Sequence, residues 1–159
     1  MCIRDRLNSY APLGVEATIT NTAVITANVV TPITVRETIN AEEQSLLTIT
    51  KSVSPVPVTE NGTLTYTFVI QNLGNTAATE ETGVVITDTF NPVLKNLTAT
   101  FNGTAWTEGA DYTYDEITGM FASVAGKITV PAATYTQDTT TGAWGINPGV
   151  STLVISGTV

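Results

Sequence analysis

The sequence predicts an all-β chain folded as a two-layer antiparallel sandwich, on three observations. Apolar residues recur in twos, β-branched Thr and Val dominate, and turn-forming Asn, Asp, Gly and Pro interrupt the chain at short intervals. No stretch shows the 3.6-residue period of an amphipathic helix, and many short strands separated by regular turns pack as two sheets.

The first element is the exception to this pattern. Met1-Cys-Ile-Arg-Asp-Arg6 holds the single Cys and two of the six basic residues, and its codons fit the end of a sequencing-library adapter read as protein. Residues 1–6 are therefore expected to be non-native, so that Cys2 carries no information about redox compartment and the absence of a leader at Met1 carries none about location.

A strand follows over Ala17–Thr26, and a second over Leu46–Val53. The clearest is Thr63–Gln71, where Leu64, Tyr66, Phe68 and Ile70 fall on one face and Thr63, Thr65, Thr67 and Val69 on the other. Further strands are expected at Gly83–Thr87, Asn96–Phe101, Asp111–Tyr114, Met120–Val124, Lys127–Val130, Thr134–Gln137 and Val150–Val159. The segments Asp115–Gly119 and Asp138–Gly142 share the order Asp, two residues, Thr, Gly, which suits a type I turn closed by a left-handed Gly, so each should join two strands as a hairpin. Asn61-Gly62, Asn102-Gly103, Asn72 to Asn75 and Asn147-Pro-Gly149 are further turn signals.

Bulk properties narrow the function. Hydrophobic content of 42% with 13% charged residues excludes a disordered chain. A net charge of -8 leaves no basic face for phosphates or anionic lipid, which argues against nucleic-acid and membrane-surface partners. With no His, the hydrolytic triads and His-containing zinc sites are unavailable, so no enzyme, metal or cofactor is expected.

The two ends resemble each other. Gly14-Val-Glu-Ala-Thr-Ile-Thr-Asn-Thr-Ala-Val24 and Gly149-Val-Ser-Thr-Leu-Val-Ile-Ser-Gly-Thr-Val159 each place a Pro and Gly turn before a Thr-rich strand, as tandem modules do. Leu47-Thr-Ile-Thr-Lys-Ser-Val-Ser-Pro55, Gly62-Thr-Leu-Thr-Tyr-Thr-Phe-Val-Ile-Gln-Asn-Leu-Gly-Asn75 and Val84-Val-Ile-Thr-Asp-Thr-Phe90, in that order, resemble the bacterial surface-repeat family catalogued as domain of unknown function 11. Asn61-Gly62-Thr63 departs from it, since Asp is usual after the Gly.

The resemblance implies an immunoglobulin-like sandwich, truncated here, exported and strung in tandem along cell-surface or cell-wall proteins as stalks or adhesin shafts. Residues 7–45 would be the closing strand and linker of a preceding repeat, and residues 46–159 a repeat lacking its last strand. The vacant edge could then be filled by the strand at Thr18–Thr26, within one chain or between two. Partners would be neighbouring repeats, and host or cell-surface ligands.

Three groups of residues could carry chemistry. By analogy with related pilin and adhesin domains, Lys51 and Asp88 match the amine and the assisting acid of a Lys to Asn isopeptide cross-link, with Asn21 matching the amide in the preceding repeat; the alternative is an exposed Lys and a turn-forming Asp. Trp106, Tyr112, Tyr114, Trp144 and Tyr135 could form a sugar-stacking platform, which makes a carbohydrate- or protein-ligand-binding module the rival reading, or they could pack within the sandwich. Asp111 and Asp115, with Glu116 adjacent, could act as a carboxylate pair or could order turns. Glu42-Glu43 and Glu80-Glu81 read as solvated charge. Asn61, Asn96 and Asn102 head glycosylation sequons that a Thr-rich chain produces by chance.

Overall fold

The computed structural model describes residues 18–28, 30–40 and 42–159. The adapter-like residues 1–6, with Cys2, lie outside them. The chain is all-β and antiparallel, in two parts: a hairpin, β1 (Thr18–Ala27) and β2 (Val30–Asn40), and a sandwich formed by everything from Leu47 onward.

The larger layer of the sandwich has five strands in the order β3 (Leu47–Ser54), β4 (Thr63–Asn72), β12 (Gly149–Thr158), β6 (Lys95–Phe101) and β7 (Thr104–Trp106). The smaller has β5 (Thr87–Thr89), β9 (Met120–Ser123) and β8 (Tyr112–Asp115). A further hairpin, β10 (Thr134–Gln137) with β11 (Trp144–Asn147), completes it.

The core lies between the layers. Leu64, Tyr66, Phe68 and Ile70 alternate inward along β4, as their period demands, and meet Leu153 and Ile155 of β12 and Ala99 and Phe101 of β6. From the other side come Ile86, Phe90, Leu94, Tyr112, Phe121, Ile128 and Val130. Phe90 bridges the layers, with its ring 4.7 Å from Tyr66 and 6.3 Å from Phe121.

Both Asp-to-Gly hairpin turns form as the sequence predicts. Asp115 accepts from Ile117 N at 2.8 Å and from Thr118 Oγ1 at 2.8 Å, and Gly119 closes the turn at φ 74°. Asp138 accepts from Thr140 N at 2.7 Å, with Gly142 at φ 72°. The three sequon residues Asn61, Asn96 and Asn102 all have positive φ, a conformation Asn tolerates better than other non-Gly residues.

Three expectations are corrected. Gly83–Thr87 is not a strand: pairing begins at Thr87, and at Ile86 the Ser123 hydroxyl takes the place of a ladder acceptor, receiving Ile86 N at 2.9 Å. Lys127–Val130 pairs only at Val130, with Ala78, because Ser151 Oγ and Asn72 Nδ2 answer the carbonyls of Thr129 and Pro131 beside it. Finally, the strand at Thr18–Thr26 fills no sandwich edge. It pairs along its length with β2, a strand absent from the sequence reading. A hairpin closed over a few residues loses less chain entropy than pairing across a long loop. Although last in the chain, β12 is central, flanked by β4 and β6.

Candidate functional site: the open side between β3 and β5

The register of β3 on β4 places Leu47, Ile49, Lys51 and Val53 opposite Asn72, Ile70, Phe68 and Tyr66, so all four point toward the second layer. That layer is narrower and does not cover all of them. Ile49 and Val53 remain 50% and 41% exposed, and Val85, across the gap, 47%. The result is a groove of about 310 Å³ lined by Leu47, Ile49, Ile70, Val84, Val85 and Ile86. The β-alternation could have revealed this apolar row on β3; nothing local in the sequence shows that its cover stops short.

Farther along the same β3 face, Lys51 and Asp88 form the ion pair that the sequence reading placed in the cross-link roles. The Lys51 ammonium lies 4.7, 5.3 and 5.6 Å from the ring centres of Tyr66, Phe90 and Phe68, where the negative ring faces favour a cation. Asp88 also accepts from Thr89 N at 2.9 Å. Two of the three residues expected for a cross-link are thus side by side. Asn21, the third, is in the hairpin opposite Glu37. The intact mass of the denatured chain is therefore expected to equal the sum of its residues; loss of one ammonia, abolished by Lys51→Ala, would show a cross-link instead.

The aromatic candidates do not form one exposed row. Tyr112 is buried and stacked on Phe121 at 5.3 Å, and Trp106 is half-buried against Phe101 at 5.3 Å. The Tyr114 hydroxyl donates to Leu94 O and accepts from Leu94 N, both at 2.9 Å. Tyr135 donates to Leu73 O at 3.0 Å. Trp144 is half-buried on β11. Burial raises the phenol pKa of both Tyr112 and Tyr114; the negative charge of Glu108 adds to this at Tyr112, while a hydrogen bond with Leu94 opposes it at Tyr114.

Asp111 and Asp115 have separate partners. Asp111 binds Lys127 at 2.9 Å and accepts from Thr107 N at 2.9 Å, while Asp115 orders its own turn. Among the described residues no group of three acidic side chains is placed to hold a metal ion.

The hydrogen bond from Lys127, then that from the Thr107 amide, lowers the Asp111 pKa, and turn hydrogen bonds lower those of Asp115 and Asp138. A carboxyl depressed on folding contributes stability that is complete above its unfolded pKa and is lost as pH falls through the folded one. Carbon-detected titration is expected to place all three midpoints below the ordinary 3.8, with the stability these three groups contribute lost in that acid range. A midpoint above it for Asp111 would remove the ion pair from the account.

Comparison of the chain with protein-family models, curated proteins and solved structures finds no match in any of the three.

Proposed function

We propose that this chain is a non-catalytic structural or adhesive module, a stalk or spacer with an immunoglobulin-like sandwich, from an extracellular bacterial surface protein. The observation that carries the reading is the use of the aromatic side chains. Three of the five candidate rings, Trp106, Tyr112 and Tyr114, pack against other rings of the fold, and a stacking platform needs ring faces free for a sugar. The acidic surface, the order of the three sequence motifs and the all-β fold agree with it.

Two measurements test it. An antiserum against the chain should label intact cells of the organism that encodes it, and the chain should show no saturable binding on glycan arrays. Labelling only after permeabilisation would overturn the surface reading. Saturable glycan binding abolished by Trp144→Ala or Trp106→Ala would replace the spacer with a carbohydrate-binding module.

A further inference from the structure

The hairpin carries a second apolar surface that no other described element covers. Its register pairs Ile25 with Ile33, Ala23 with Val35 and Asn21 with Glu37 on one face, which Ile39 extends. Ile25, Ile33, Val35 and Ile39 are 67%, 57%, 60% and 56% exposed. The opposite face, with Thr20, Thr22, Thr34, Arg36 and Thr38, is mostly polar. A two-stranded ribbon is marginal alone in water, and one with a single apolar face gains stability by covering it.

We propose that this ribbon face covers the open β3–β5 side of a second copy of the chain, extending the smaller layer beyond β5 across the overhanging β3. The two surfaces match in chemistry and in spacing. Along β2 the row on the apolar face is Ile33, Val35, Glu37, Ile39; along β3 the row facing the second layer is Leu47, Ile49, Lys51, Val53. Each is two apolar residues, one charge and one apolar residue at a period of two, and the charges are opposite. With the strands parallel all four positions correspond. With them antiparallel, Glu37 still meets Lys51 while Val35 meets Val53 and Ile39 meets Ile49. The Lys51 ammonium has three donors, so a second carboxylate can join Asp88.

The occupant is a second copy rather than the same chain because the linker is held. Glu42 O and Gln44 N bind the Asn75 side chain at 2.9 Å each, Gln44 O accepts from Thr76 N at 3.3 Å, Leu46 N bonds Asn72 Oδ1 at 2.9 Å, and Leu46 O accepts from Leu73 N at 2.8 Å. Between the end of β2 at Asn40 and the first tether at Glu42, one residue is left in which to turn the ribbon back onto its own sandwich. A ribbon of two strands over eight residues offers roughly 250 Å². Reciprocal docking in a two-fold dimer uses four such faces, about 1,000 Å² in all, near the lower bound of a specific interface. The inference stands independently of the surface-protein reading.

Sedimentation equilibrium of the full chain is the test. Association that rises with concentration is expected, and Ile33→Thr with Val35→Thr, exposed positions that remain good strand formers, should abolish it while leaving the far-ultraviolet dichroism unchanged. Glu37→Lys should weaken it about tenfold, and mixing that variant with Lys51→Glu should restore a mixed species. A monomer at every concentration overturns the proposal, as does association that the hairpin substitutions leave intact. Cross-linking supplies a second check, in a Cys2→Ser background: Glu37→Cys and Lys51→Cys carried on separate chains should form a mixed disulfide. A disulfide formed only when both stand on one chain would place the ribbon on its own sandwich and refute the second copy.

Discussion

Asn72→Ala is expected to destabilise the sandwich by about 3–5 kcal/mol, as much as removing a large core side chain, although the residue lost is polar. Asn72 is fully buried at the end of β4, and both ends of its amide are used. Oδ1 accepts from Leu46 N and Gly74 N, each at 2.9 Å, and Nδ2 donates to Thr76 O at 2.8 Å and Pro131 O at 3.0 Å. One side chain thus ties together the entry to β3, the turn after β4 and the segment leading to β10. Alanine would leave four backbone groups without these partners at a site where water does not reach the amide. Urea unfolding monitored by Trp fluorescence measures the loss; a change below about 1 kcal/mol would mean that the backbone re-pairs and that the amide is not the tie described.

Phe90→Ala is expected to cost a similar amount, about 3–5 kcal/mol, against a total of roughly 5–15 for a domain of this size. Phe90 is 1% exposed and contacts rings from both layers: Tyr66 at 4.7 Å, Tyr114 at 6.2 Å and Phe121 at 6.3 Å. Its face is also one of the three beneath the Lys51 ammonium, so the same substitution should loosen the Lys51–Asp88 pair. Differential scanning calorimetry gives the stability change, and the Ile117→Ala variant is the control. Ile117 sits in the Asp115 turn at 89% exposure and should shift stability by less than about 0.5 kcal/mol. Equal effects at the two positions would contradict the assignment of Phe90 to the core.

The sequence by itself determined what depends on neighbours along the chain. The inward face of β4 follows from alternation, because successive side chains in a strand point to opposite sheet faces. The turns at Asp115–Gly119 and Asp138–Gly142 follow from an Asp that bonds its own backbone and a Gly that takes the left-handed region, both complete within five residues. The two-layer antiparallel class follows from many such strands and turns together.

Other features needed the tertiary structure, because their partners lie far away in sequence. Whether Val84–Ile86 and Lys127–Val130 pair as strands is decided by Ser123, Ser151 and Asn72 satisfying backbone groups in place of a ladder. Lys51 and Asp88 carry individually ordinary residue types; only the folding of β3 over β5 makes them a pair on an aromatic floor. The Thr-rich segment at Thr18–Ala27 reads from its sequence as a strand for a sandwich edge, and its pairing with β2 makes it half of a hairpin instead. The groove beside β3 is likewise a property of sheet widths, five strands against three, which no single strand encodes. Local rules set each strand's faces, and the long-range count of strands in each layer decided which of those faces stayed uncovered.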